Sequence, residues 1–126
     1  MKALISVILV AAIIIIGWMY VYNTVDHYAA AFKDSLAQVA DHVNEGNWTH
    51  AVSAFSQVDE EWKDIRKKWT ILLDHHEIDN IDLSMARANQ YIKAKNTPLS
   101  LGEIEVLKQL FDIVRESEAL TFNNVL

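Results

Sequence analysis

The chain opens on an apolar run in which no residue between Lys2 and Asp26 carries a charge. Its centre, Ala3 to Ile16, holds one hydroxyl, Ser6, among Ala, Leu, Ile and Val. The run continues through Gly17, Trp18, Met19, Tyr20, Val21 and Tyr22. A helix needs about 20 apolar residues to cross a hydrocarbon layer about 30 Å thick, and this run supplies them. A helix that is apolar on every face must be surrounded by something. The roughly 100 residues that follow make one small domain, too little to enclose it. The expectation is therefore a membrane-spanning helix.

The run reads as a retained anchor. A cleaved secretory leader has an apolar centre of about 7–15 residues followed closely by a small-x-small site. Here bulky Trp18, Met19 and Tyr20 follow the run, and the first small triplet, Ala29-Ala30-Ala31, lies well beyond it. The division expected is a transmembrane signal anchor over residues 1–24 and an extracytoplasmic helical domain over residues 25–126. Lys2 and the α-amino group precede the run, and Asp26 is the first charge after it. Cationic flanks stay on the cytoplasmic side, so the expected topology is single-pass in the cell membrane with the amino end cytoplasmic. Trp18, Tyr20 and Tyr22 stand at the far end, where aromatic rings favour the headgroup layer.

Charge narrows the partners. The chain carries −6, and with Lys2 set aside with the anchor the remainder carries −7. Nucleic acid needs a basic face and is excluded as a partner. An anionic bilayer surface is likewise disfavoured beyond the anchor's own contact with the lipid bilayer. The absence of cysteine excludes disulfides, thiolate metal sites and cysteine nucleophiles. Three glycines and one proline leave no flexible linker and no phosphate-cradling loop.

Beyond the run, apolar residues recur at Val25, Ala29, Phe32, Leu36, Val39 and Val43. This alternation of fours and threes makes one helical stripe. Nothing between Tyr22 and Val25 breaks a helix, so the anchor is expected to continue into the domain as one rod. From Leu4 to Asn44 such a helix would be about 60 Å long. Glu45-Gly46-Asn47 ends it, with Gly46 suited to the left-handed position and Asn47 to the next cap. A second stripe reads Trp48, Ala51, Phe55, Val58, Trp62, Ile65, Trp69, Leu72 and His76.

Around Asp74-His75-His76-Glu77-Ile78-Asp79 the phase slips, and a third stripe runs Ile78, Ile81, Met85, Ala88 and Ile92. With no glycine or proline there, a kink competes with a turn. The reading favours a short break near His76–Asp79, with Asp79 capping the third helix. Asn96-Thr97-Pro98 is the next break. Ser100 with Glu103 makes a capping-box pattern, and Thr97 before Pro98 is the alternative cap. The last helix carries Ile104, Val106, Leu107, Leu110, Phe111, Ile113 and Val114, a stripe wide enough to predict deep burial. The apolar tail from Leu120 to Leu126 is expected to pack back on the bundle. The fold class expected is all-α: an N-terminal transmembrane helix continuing into an up-down four-helix bundle.

Each candidate site has a plainer reading. Trp62 and Trp69, seven residues apart, read as core. His75 and His76, beside Asp74, Glu77, Asp79 and Asp82, make the most metal-like cluster. A helical zinc pair, however, needs histidines one turn apart. Adjacent histidines diverge, and His76 continues the Trp62–Trp69 face as a half-buried core residue. His27, His42 and His50 read as solvated. Glu60-Glu61 and the Glu116/Glu118 pair fit solvated faces, and no serine sits in a nucleophile elbow. No residue is nominated as catalytic, cofactor-binding or metal-binding.

Gly46-Asn47-Trp48 with Ala51 and Phe55 resembles the opening of a tetratricopeptide helix pair, but such arrays need about three repeats and no second copy follows. The anchor, Trp62-x6-Trp69, the 74–79 segment, Leu120 and Asn123-Asn124-Val125 together resemble a family of small bacterial membrane-anchored proteins. That family is catalogued as domain of unknown function 4363. The resemblance implies a cell-envelope protein and supplies no functional residue. Such proteins often occur beside other small membrane proteins, which hints at a partner. The function expected is a structural or interaction protein of the envelope that binds a membrane or envelope protein and performs no catalysis. The alternative is a ligand- or metal-sensing module with a pocket near His75–Asp79.

Overall fold

A computed structural model describes the backbone of residues 1–125 and the side chains of residues 1–119. Four helices follow in order: α1, Lys2–Asn44; α2, Trp48–Leu72; α3, His75–Lys93; and α4, Thr97–Val125. No strand occurs among the described residues. Each helix packs on the next, and α4 closes the ring against α1. The result is the up-down bundle that the periodicities call for. α1 is one unbroken helix of 43 residues, about 65 Å long at 1.5 Å per residue. It is also the one described helix long and apolar enough to cross a membrane.

The six apolar residues of the α1 stripe, Val25 to Val43, are all buried, and the core begins at Val25. α2 buries Ala51, Phe55, Val58, Trp62, Ile65 and Trp69, with Trp48 packed at the margin. α3 buries Ile78, Ile81, Met85, Ala88 and Ile92. At the centre Phe32, Trp62, Trp69 and Phe111 form one cluster of four rings. Phe32 and Phe111 stack at 4.7 Å, and Trp62 meets Trp69 and Phe111 edge-on at 5.8 Å. Such rings combine large burial with a preferred geometry, and they tie α1, α2 and α4 at one level. Trp62 and Trp69 are core residues, as read.

The first turn matches its sequence. Gly46 takes φ +71°, the Asn47 amide donates back to the His42 carbonyl at 2.9 Å, and Asn47 Oδ1 accepts from the His50 amide. Two other boundaries differ from expectation. The α2–α3 break lies at Leu73-Asp74, earlier than His76–Asp79. Leu73 is extended, and Asp74, not Asp79, caps α3 by accepting the His76 amide at 2.9 Å. Leu73 therefore takes the buried place expected for Leu72, and His76 lies exposed in the first turn of α3. At α4 the cap is Asn96, whose Oδ1 accepts the Leu99 amide at 3.0 Å. Neither Thr97 nor Ser100 plays that part, because the helix begins before Ser100 and buries it.

The third difference concerns depth. α4 buries Ile104, Leu107, Phe111 and Val114, but Val106 and Ile113 are 41% and 48% exposed. Its wide stripe is two stripes, of which one faces the core. The side chains of the expected tail contact, Leu120 to Leu126, lie outside the described residues.

Candidate functional site

The segment His75–Asp79 is the first turn of α3, at the end of the bundle where α2 returns beside Tyr20 and Val21 of α1. Two of the carboxylates at this end are engaged. Asp74 caps the helix, and Glu77 Oε1 accepts the Ser117 hydroxyl of α4 at 2.7 Å. His75, His76 and Asp79 are exposed. Among the described residues no group of three or more His, Asp or Glu side chains is arranged to hold a metal ion. Glu118 lies near this end, and burial together with the charge of Glu77 raises its carboxyl above the usual glutamate range. The sequence does carry a signal for this turn: Asp74-x-x-Glu77 ahead of an apolar run is a helix-start pattern.

Polar clamps hold neighbouring helices in register. Lys33 of α1 donates to both oxygens of Asp112 of α4 at 2.8 and 3.0 Å, and Arg115 pairs with Asp26. Between α2 and α3, Asp82 accepts from Trp62 Nε1 at 2.8 Å and from Arg66 Nε at 2.8 and 3.1 Å. Between α3 and α4, Glu103 accepts from the buried Ser84 hydroxyl at 2.7 Å and from Arg87 at 2.9 Å. His42 and His50 stack at 5.5 Å beside the first turn. His50 is exposed, but His42 is partly buried and its Nδ1 is sealed from solvent without a partner among the described residues. That corrects the solvated reading for His42. The clamps tie α1 to α4, α2 to α3 and α3 to α4.

Two grooves flank α2. One, of about 270 Å³, lies against α1 between Tyr28, Phe32, Glu61 and Asp64, with exposed His27 at its rim. The other, of about 300 Å³, lies against α3 around the Asp82 clamp. Both are open and shallow. The surface that stands out is the outer face of α4, where Leu99, Val106 and Ile113 are 48%, 41% and 48% exposed. They fall at intervals of seven residues, the spacing of a helix–helix seam. Exposed Glu105, Gln109 and Glu116 flank them, and exposed Gly102 leaves the backbone open to close approach. Sequence periodicity finds these residues but does not say which stripe faces in.

A family model described as "Domain of unknown function (DUF4363)" matches residues 19–125. No curated protein and no solved structure matches the chain.

Proposed function

The chain belongs to the family of domain of unknown function 4363, the one its sequence resembles, and on that premise we propose that it is a membrane-anchored interaction protein of the bacterial cell envelope, without catalysis. The apolar half of α1 crosses the cell membrane with the amino end in the cytoplasm. The same helix, without a hinge, carries a rigid bundle on the outer side. The bundle binds a membrane or envelope protein through the outer face of α4.

The observation that carries this reading is that α4 is apolar on two faces. One face, Ile104, Leu107, Phe111 and Val114, fills the core. The other, Leu99, Val106 and Ile113, is left 41–48% exposed by the described residues. Rigid clamps with low conformational freedom suit a surface whose job is to be recognised. The acidic flanks Glu105 and Glu116 suit a partner helix with an apolar seam bordered by Lys or Arg. The apolar run also meets the requirement for lipid burial. Its hydroxyl, Ser6, donates to the Lys2 carbonyl at 3.0 Å, so it brings no unpaired donor into hydrocarbon.

The test is a pull-down of the full-length protein from cells in mild detergent, repeated with Leu99→Asn, Val106→Asn and Ile113→Asn combined. The expected result is a defined companion protein that the triple variant loses while its far-UV spectrum stays helical. Recovery of the chain alone, or of the same companion with both forms, would overturn the reading.

A further inference from the structure

We propose that the α2–α3 turn is a second bilayer contact, with Ile71 and Leu72 set at the boundary of headgroups and acyl chains and Lys67 and Lys68 at the phosphate level. This rests on the anchored reading above and adds to it a lipid-binding surface on the bundle itself.

The outward face of α2 changes character along its length. From Ser53 through Gln57 it is polar, and over Glu60, Glu61 and Asp64 it is acidic apart from Lys63, which is paired with Asp59. It turns basic at Lys67 and Lys68, both exposed, and then apolar at Ile71 and Leu72. Ile71 is 85% exposed and Leu72 48%. These positions continue the solvent face of the helix, where a water-facing helix places polar residues. The order acid, base, apolar is the order of water, phosphate and acyl chain on approaching a bilayer.

The heights agree. α2 runs antiparallel to α1, and its last turn meets α1 where the apolar run ends: Tyr20, Val21 and Thr24 share a crevice of about 160 Å³ with Lys68, Trp69 and Leu72. Tyr20, itself 72% exposed, stands where aromatic rings mark the interface. Each lysine lies four residues before an apolar residue, so Lys67 stands over Ile71 and Lys68 over Leu72. Four residues of helix rise about 6 Å, which matches the thickness of one headgroup layer, about 5–7 Å. Lysine stems lie along apolar surface while the ammonium reaches polar groups. Of the exposed acidic residues, Glu60, Glu61 and Asp64 stand above the lysines, whereas Asp74 lies in the turn itself just past Leu72 and limits the contact to the headgroup–acyl boundary. The phosphate addressed is that of phospholipid generally, so the contact does not require an anionic headgroup.

Spin labelling tests the proposal in a chain that has no native cysteine. Full-length protein carrying one label, at Thr70→Cys, Gln57→Cys or Ile13→Cys, is reconstituted into phosphatidylcholine vesicles. Its collision with oxygen is compared with its collision with a water-soluble nickel chelate. The Ile13 label is expected in hydrocarbon and the Gln57 label in water. The Thr70 label, beside an intact Ile71 and Leu72, is expected to show an oxygen-to-nickel ratio several-fold above that of Gln57. Ile71→Asn with Leu72→Asn should return that ratio to the Gln57 value. A Thr70 label as open to nickel as Gln57, with Ile13 in hydrocarbon, would overturn the turn's contact and leave the anchor standing. An Ile13 label open to nickel would overturn both.

Discussion

Asp82→Ala is expected to destabilise the bundle by more than an exposed ion pair would suggest. Asp82 serves two partners, the indole N–H of Trp62 at 2.8 Å and Arg66 through both oxygens. The Arg66–Asp82 pair is more than a third open to solvent on each side, so its loss costs at most about 1 kcal/mol. Trp62, by contrast, is 2% exposed, and stranding its buried donor costs about 1–3 kcal/mol. The sum is roughly 1–4 kcal/mol. In a Trp62→Phe background the stranded donor is gone, and Asp82→Ala should cost only about 0–1 kcal/mol. The coupling, about 1–3 kcal/mol, is read from a double-mutant cycle. The assay is guanidinium unfolding of the full chain in non-ionic detergent, followed by far-UV circular dichroism. Equal costs in both backgrounds would show that the indole bond contributes nothing.

Other expectations concern turns, an orphan hydroxyl and a carboxyl. Gly46→Ala forces a side chain into φ +71° and should cost about 1–2 kcal/mol in the same unfolding assay. Lys95 already sits at φ +56°, so Lys95→Gly should stabilise by up to about 1 kcal/mol once the looser unfolded chain is set against the relief. Ser100 Oγ is buried without a partner among the described residues, and Ser100→Ala should gain about 1 kcal/mol. The Glu118 carboxyl is raised in the folded state by burial and by Glu77. Folding is therefore favoured while the group is protonated, and stability falls as pH rises through the folded value. Glu118→Gln should raise the melting temperature at neutral pH, and the gain should vanish below the ordinary glutamate range.

Much of the fold was legible because burial follows period. Val25 to Val43 on α1 and Ile78 to Ile92 on α3 are buried as their spacing requires. The Gly46-Asn47 turn was legible because each residue has one conformational task there. The α2–α3 boundary was not, because Leu72 and Leu73 are chemically alike and only backbone geometry selects Leu73 for the core. The Asp74-x-x-Glu77 pattern would have placed the boundary correctly. His76 followed that error onto a face that had already ended. Ser100-x-x-Glu103 looked like a cap, yet Ser100 is buried inside α4, and Glu103 reaches Ser84 and Arg87 of α3. Such a contact is tertiary and leaves no local trace. The two faces of α4 show the remaining limit: hydrophobicity marks residues that avoid water, and the neighbouring helices decide which of them the chain covers itself.

Anchoring and presentation of the bundle both require that α1 cross a bilayer and continue unbroken into the bundle. Alkaline carbonate extraction of membranes holding the full-length protein tests this most directly, because the wash strips proteins held at the surface and leaves spanning ones. The expected result is full retention in the pellet, with release only by detergent. Recovery of the intact chain in the carbonate supernatant would show that α1 does not span the bilayer.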